Sequence, residues 1–246
     1  MEPFDALHAF RSFRNSFYEY LDRRADALFE LTDALLTADA AVPSPVHLSL
    51  QASHRRGWGS LYAALEHGRI NVEALRDLLA QEAPSAEDEQ HVYAVDVSVW
   101  PRCDAECSPE RGFYYHPSRH SAGQPIVAGW GYQFIAQLNF LRESWTAPVD
   151  AQRVHPARDA NEVAAEQIGA FLARRSPVKK GDLLIAPMFV FDAGYDPVKL
   201  HQGLKGGRVR ARSSCGCAPD AASTATRASR SRPRTTSVVR VVTDPR

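Results

Sequence analysis

The chain has 246 residues, 29 Lys plus Arg against 29 Asp plus Glu, and a 44% hydrophobic fraction. That length holds one large domain or two small ones, and the composition is ordinary for a globular protein. No apolar run approaches the roughly 20 residues of a membrane span, the acidic start MEPFDALHAFRSF does not read as a signal peptide, and four cysteines make no disulfide framework; the expected compartment is the cytoplasm.

The zero net charge hides an uneven distribution. Residues 207–246 hold nine Arg, no Lys and two Asp, a net +7, which the remaining residues balance at −7. A DNA-processing protein ordinarily shows phosphates a basic surface, and the larger part of this chain has no such excess.

Residues 1–85 read as a helical region. Phe10, Phe13, Phe17 and Leu21 recur at helical spacing, as do Leu28, Leu31 and Leu35. Pro43 and Pro45 interrupt the pattern. A further helix is expected at 58–66, ended by Gly68, and another at 72–81 with Asn71 as its N-cap. Phe10, Phe13 and Phe17 are expected to pack inward. Nothing marks a helix-turn-helix, so a DNA-binding module and a helical scaffold or dimerisation unit stand equal.

Residues 83–90 (APSAEDEQ) are polar and mark a boundary. A strand follows at 92–99, then a long connection over 102–124 with short strand character at 113–116. Residues 127–140 read as a strand running through a turn at Gly129–Gly131, with Trp130, Tyr132 and Phe134 alternating onto one face. Core packing is the reading preferred for that face over base stacking. A helix is expected at 160–174 with Asn161 near its cap, a buried strand at 183–191, and a helix starting at 196–204.

Two of these strands deliver an aspartate: Asp96 in 92–100 (VYAVDVSVW) and Asp192 in 188–197 (MFVFDAGYDP). A carboxylate in an apolar strand is costly to bury unless something pairs with it, and Mg²⁺, which takes one or two carboxylates plus phosphate oxygens, is the natural partner. Two such aspartates on separate strands suggest metal-assisted phosphodiester chemistry. A strand-end aspartate that caps a turn or meets an arginine is the plainer alternative. Asp196, in the same DAGYD segment, suits an N-cap for the helix that follows and is the rival second aspartate.

The segments VYAVDVSVWPRCDAECSPERGFYYHPSRH, QPIVAGWGYQFIAQLNF and FVFDAGYDPVKL, in that order, resemble the insertion-sequence transposases of the DDE superfamily endonuclease type. The resemblance runs from about Phe4 to about Gly206. It implies an α/β protein whose N-terminal helices precede an RNase H-like mixed sheet, with two-metal cutting and joining of DNA ends. Its catalytic set is two aspartates, matched by Asp96 and Asp192 as catalytic and metal-binding residues, and a later glutamate, which has no counterpart here. Mg²⁺ and the DNA of transposon ends are the implied cofactor and partner.

After Gly206 the composition turns to Arg, Ala, Ser, Thr and Pro, with no Leu, Ile, Met, Phe, Tyr, Trp or Lys. Such a segment buries too little apolar surface to offset ordering entropy, and a disordered basic tail is expected at 207–246. A sharper reading is a frameshift. Suitable codons for residues 213–227, read from the third base, give VLRLRSGRCFYRDP, which begins with strand character and resembles what the family carries after its DAGYD helix. The expected domain is then a partial RNase H-like unit over 90–206, its sheet incomplete and the glutamate lost.

Other residues carry weaker signals. Cys103 and Cys107, with His116 and His120 downstream, lack the second clear ligand pair of a zinc site. Arg111, Arg119 and His120 suit phosphate contact or plain solvation equally. Ser98 has no histidine and acid placed by motif, and GLKGG at 203–207 lacks the ending of a phosphate loop.

The sequence therefore points to a transposase of an insertion sequence, inactive without its third acid. A rival from another class is a non-catalytic DNA- or protein-binding fragment that self-associates or joins a full-length transposase and inhibits it. A third is a nuclease in which Glu162 or Glu166 supplies the missing ligand.

Overall fold

The computed structural model describes residues 3–83, 91–116, 125–138, 146–175, 178–180, 183–192, 194–205, 209–216 and 236–243. They fall into two compact units, Met1–Glu82 and Ala83–Arg246. Among the described residues no helix is long and apolar enough to cross a membrane.

The first unit is helical: α1 (Pro3–Glu19), α2 (Ala25–Leu36), α3 (Pro45–Ser49), α4 (Trp58–His67) and α5 (Val72–Glu82). Ala34, Leu48 and Leu61 form its buried centre, with Leu31 and Val42 packed against them. Arg14 ties α1 to α2, meeting Asp33 through both guanidinium nitrogens at 2.5 and 2.9 Å while lying 4.5 Å over the Phe29 ring. Asn71 caps α5 as expected, its side-chain oxygen accepting from the Ala74 N–H at 3.1 Å. Gly68 ends α4 for reasons of space: a Cβ there would lie 2.3 Å from the Ala64 carbonyl oxygen.

Two details differ from expectation. Pro45 opens the short α3 rather than only breaking a helix, since proline at the first helical position sacrifices no intrahelical bond. Phe10, expected to pack inward, is 53% exposed; Phe13 and Phe17 are half-buried.

The second unit is a mixed α/β layer. Its strands are β1 (Val92–Pro101), β2 (Gly112–Tyr115), β3 (Ile126–Leu138), β4 (Thr146–Val154), β5 (Val178–Lys180), β6 (Leu183–Ile185), β7 (Met188–Phe191), β8 (Val209–Gly216) and β9 (Thr236–Thr243), with helices α6 (Ala160–Arg174) and α7 (Pro197–Lys205). Seven strands form one sheet in the order β2-β3-β1-β7-β9-β8, with β4 also beside β3. β1, β3 and β4 run antiparallel, α6 crosses over, and β7 returns parallel to β1. This is the arrangement expected of an RNase H-like core.

Burial follows the two-residue period of the strands. Tyr93 and Val95 of β1 and Phe189 and Phe191 of β7 are buried; Phe171 of α6 meets Tyr93 edge-on at 5.1 Å, and Phe189 stacks on Tyr93 at 5.2 Å. Burying aromatic side chains of this size stabilises by roughly 1.5–3 kcal/mol each. α7 packs on α6, where Gly203 admits Ala165: a Cβ at 203 would lie 2.7 Å from the Ala165 Cβ.

Several local expectations change. β3 is one continuous strand, with no turn at Gly129–Gly131. The span 183–191 is two strands, β6 pairing with β5 and β7 with β1 and β9, because Pro187 lies between them. The face of β3 that packs inward is the other one: Val127, Gly129, Gly131, Gln133 and Ile135 are buried, whereas Trp130, Tyr132 and Phe134 are half-buried on the opposite side. The tail expected to lack structure is described only in part. Residues 217–235 and 244–246 lie outside the described residues, as do Arg119, His120 and the 84–90 linker. The two described pieces are strands, β9 carrying the β-branched run Val238, Val239, Val241 and Val242 and pairing antiparallel with β7.

Candidate metal centre

Asp96 and Asp192 come together through strand register. β1 and β7 pair in parallel at Val92–Met188, Tyr93–Phe189, Ala94–Val190 and Val95–Phe191, so the next residue on each strand is an aspartate. Neighbouring strands lie about 4.8 Å apart. β7 ends at Phe191 while β1 runs on to Pro101, so Asp192 lies just past the carboxyl end of β7, the side on which open α/β sheets bind ligands. Both aspartates are exposed there. Asp96 Oδ1 accepts from the Val97 N–H at 2.8 Å, and Asp192 Oδ1 accepts from the Gly194 N–H at 2.9 Å. Each carboxylate is thus tied to its own backbone through one oxygen.

A buried polar group stands behind the pair. The Tyr195 phenol is held well above the usual tyrosine range, first by burial and then by the charges of Asp96 and Asp192, so it stays protonated. Its hydroxyl lies 3.2 Å from the carboxamide of Gln133. That carboxamide lies 2.8 Å from the side-chain amide of Gln167 on α6. Gln133 and Gln167 are 0% and 1% exposed. Buried amides of this kind are retained when their partners are present, and here they link the sheet, the crossover helix and the turn that carries Asp192.

The start of α6 completes the support. Asp159 is its N-cap, accepting from the Asn161 N–H at 2.8 Å. Asn161, near the cap as expected, donates its side-chain nitrogen to Asp159 at 2.8 Å and also accepts from the Asp196 N–H at 2.8 Å. Asp196 caps α7 by accepting from Val198 and Lys199 N–H groups at 2.8 and 3.3 Å, as its position predicts. Lys199 Nζ meets Asp159 at 2.5 Å. That contact, with the Asn161 bonds, lowers the Asp159 carboxyl to about 2.

Gln133, Gln167 and Tyr195 escaped the sequence reading. Their signal is a polar residue in the buried register of an apolar element: Gln133 alternates with Ile135, and Gln167 shares a helical face with Val163 and Phe171.

Other candidates are not brought to the pair. Glu162 and Glu166 are exposed on α6, and Glu166 accepts from Arg158 at 2.7 Å. Cys103 and Cys107 are free and exposed. Arg111 donates to the carbonyls of Arg102 and Cys103 at 3.1 and 3.2 Å, closing its own loop.

The donor set suits a hard divalent cation that takes one or two carboxylates and completes its shell with water and phosphate oxygens. It does not suit a metal needing three protein side chains: among the described residues no group of three or more His, Cys, Asp or Glu is placed to hold an ion. No glutamate follows Asp192 anywhere in this sequence.

No curated protein matches the sequence. The family model of the DDE superfamily endonucleases matches residues 16–243, beyond the point near Gly206 where the motif resemblance stops and through β8 and β9. With a mixed sheet of the expected order and two motif aspartates on adjacent strands, the chain belongs to the DDE superfamily endonuclease family.

Proposed function

We propose that this chain is an insertion-sequence transposase of the family that keeps its two-aspartate metal site and its affinity for DNA but does not cut. Family membership carries nuclease- or transposase-like action on DNA, and such enzymes generally use divalent metals. The observation that carries the reading is the placement of Asp96 and Asp192 on adjacent parallel strands with no third acid beside them among the described residues.

Bound Mg²⁺ supplies Lewis-acid polarisation of a phosphoryl oxygen and a more acidic water. Asp96 and Asp192 would hold the cation. Tyr195, kept neutral and tied to Gln133, holds the DAGYD turn in place. Asp196 and Asn161 fix the entry to α7. Among the described residues no further acid is at hand to complete a two-metal site, so cleavage and strand transfer stop at binding. The transposon ends are the expected DNA, in the cytoplasm, and self-association or mixed assembly with a full-length transposase gives an inhibitory role.

The shifted-frame origin of 207–246 is part of the same proposal, although inactivity does not depend on it. The nucleotide sequence through and beyond these codons tests it: a shifted frame that continues as apolar strand-and-helix sequence with a later glutamate supports it, and one that closes at once removes it.

The functional test is incubation of the full chain with labelled DNA and Mg²⁺ or Mn²⁺. No cleavage is expected. Cleavage that Asp96→Asn abolishes would overturn the inactive reading, and if Glu162→Gln or Glu166→Gln also abolished it, the third acid would come from α6.

A further inference from the structure

The face of the sheet that holds Asp96 carries a second feature, which metal binding does not use. Residues alternate across a strand, so Asp96, Ser98 and Trp100 of β1 share a face, opposite the buried Tyr93 and Val95. The register places Phe134, Tyr132 and Trp130 of β3 directly beside them. β2 extends the same face, with Phe113 opposite Ala128 and Tyr115 opposite Ile126. Trp100 is 66% exposed, Phe113 78%, Tyr115 68% and Ile126 50%. The Trp100 ring meets Tyr132 edge-on at 5.9 Å. Arg153 lies 5.2 Å over the Trp130 ring, its guanidinium held by the Pro109 carbonyl at 2.8 Å and Glu110 at 3.3 Å.

A contiguous apolar patch of this kind marks a binding surface. Three observations favour an unpaired DNA strand as the occupant. Exposed aromatic rings on adjacent strands of an antiparallel sheet are the platform on which unpaired bases stack. The row is polar at intervals, with Ser98, two tyrosine hydroxyls and the Arg153 cation over an aromatic ring. It also runs into Asp96: two residues of strand advance about 6.8 Å, near the spacing of successive phosphates in an extended strand, so a phosphodiester at the carboxylate pair brings its neighbouring bases over Tyr132 and Trp100.

We propose that this face is a stacking track for an unpaired DNA strand leading to Asp96 and Asp192. The track rests on the reading of the chain as a DNA-binding protein, but its test needs neither metal nor catalysis. The full chain, in chelator, is titrated against dye-labelled oligothymidylate of roughly 12 nucleotides, within the usual site size of such platforms, and against a duplex of the same length. The single strand is expected to bind more tightly than the duplex and to quench tryptophan fluorescence. Trp100→Ala and Phe113→Ala each weaken it by about 5- to 100-fold, and Trp100→Phe restores most of the loss. In chelator the doubly substituted Asp96→Asn/Asp192→Asn chain binds at least as tightly as the parent, because two carboxylates that repel the DNA phosphates are gone, so loss of the metal site and loss of the track are read separately. Both aromatic residues are exposed, and unchanged circular dichroism confirms that the variants fold. Equal affinity of the alanine variants and the parent would overturn the track. Concentration-dependent dimerisation that the same variants abolish, without single-strand binding, would assign the face to a second copy of the chain instead.

Discussion

Asp96 and Asp192 stand one residue beyond the Val95–Phe191 pair, on parallel neighbouring strands, and the buried phenol of Tyr195 feels the charge of both. Without a cation the two carboxylates repel each other. Asp96→Asn and Asp192→Asn should therefore each weaken Mn²⁺ binding by at least about 10-fold, since even losses in the surrounding shell reach that size. Stability in chelator should not fall. Calorimetric titration and urea melts of the single variants check both halves.

The Gln133–Gln167–Tyr195 group makes a second prediction. Gln133→Met keeps the volume but leaves the Gln167 side-chain oxygen and the Tyr195 hydroxyl buried without their partner. The expected cost is about 1–3 kcal/mol, read as a lower urea midpoint with an unchanged slope.

Asp159 gives a pH dependence with a definite sign. Its folded-state carboxyl is lowered to about 2 by Lys199 and Asn161, against an ordinary value near 3.9. A lowered carboxyl stabilises the fold above the ordinary value, and that stabilisation is lost as pH falls from about 4 toward 2. Asp159→Asn retains a capping oxygen but not the charge. The parent should exceed it in stability at pH 6, and most of the gap should be gone at about pH 2, the remainder vanishing below it.

Gly203→Ala tests the α6–α7 contact. Alanine is the better helix former by about 1 kcal/mol, yet its Cβ would lie 2.7 Å from that of Ala165. The contact should dominate, with a net loss of about 1–3 kcal/mol as the helices are forced apart. Pairing it with Ala165→Gly should recover part of the loss.

Much of this architecture is legible in the sequence where local signals agree. The α6 boundaries are those the pattern predicts, and both aspartates end apolar runs that prove to be neighbouring strands. The rest is hidden for identifiable reasons. β4 carries no clear strand signal because Pro148 and Asp150 interrupt TAPVDAQRV; in the fold Pro148 sits beside the register shift between Ile135 and Ala136, where a strand tolerates proline. The inward face of β3 is misjudged because its aromatics outweigh Gly129, Gly131 and Gln133 in any hydrophobic count, while α6 needs the smaller side and supplies a partner for the glutamine. β9 is concealed by the surrounding Arg, Ser and Thr, although its four valines form a strand signal by themselves.

The most direct test of the two-carboxylate site is a Mn²⁺ titration of the full chain followed by electron paramagnetic resonance, with the Asp96→Asn/Asp192→Asn chain beside it. Saturable binding by the parent and none above background by the double variant is the expected result. Identical titrations of the two chains would contradict it and leave the aspartates with no role beyond the local backbone bonds they accept.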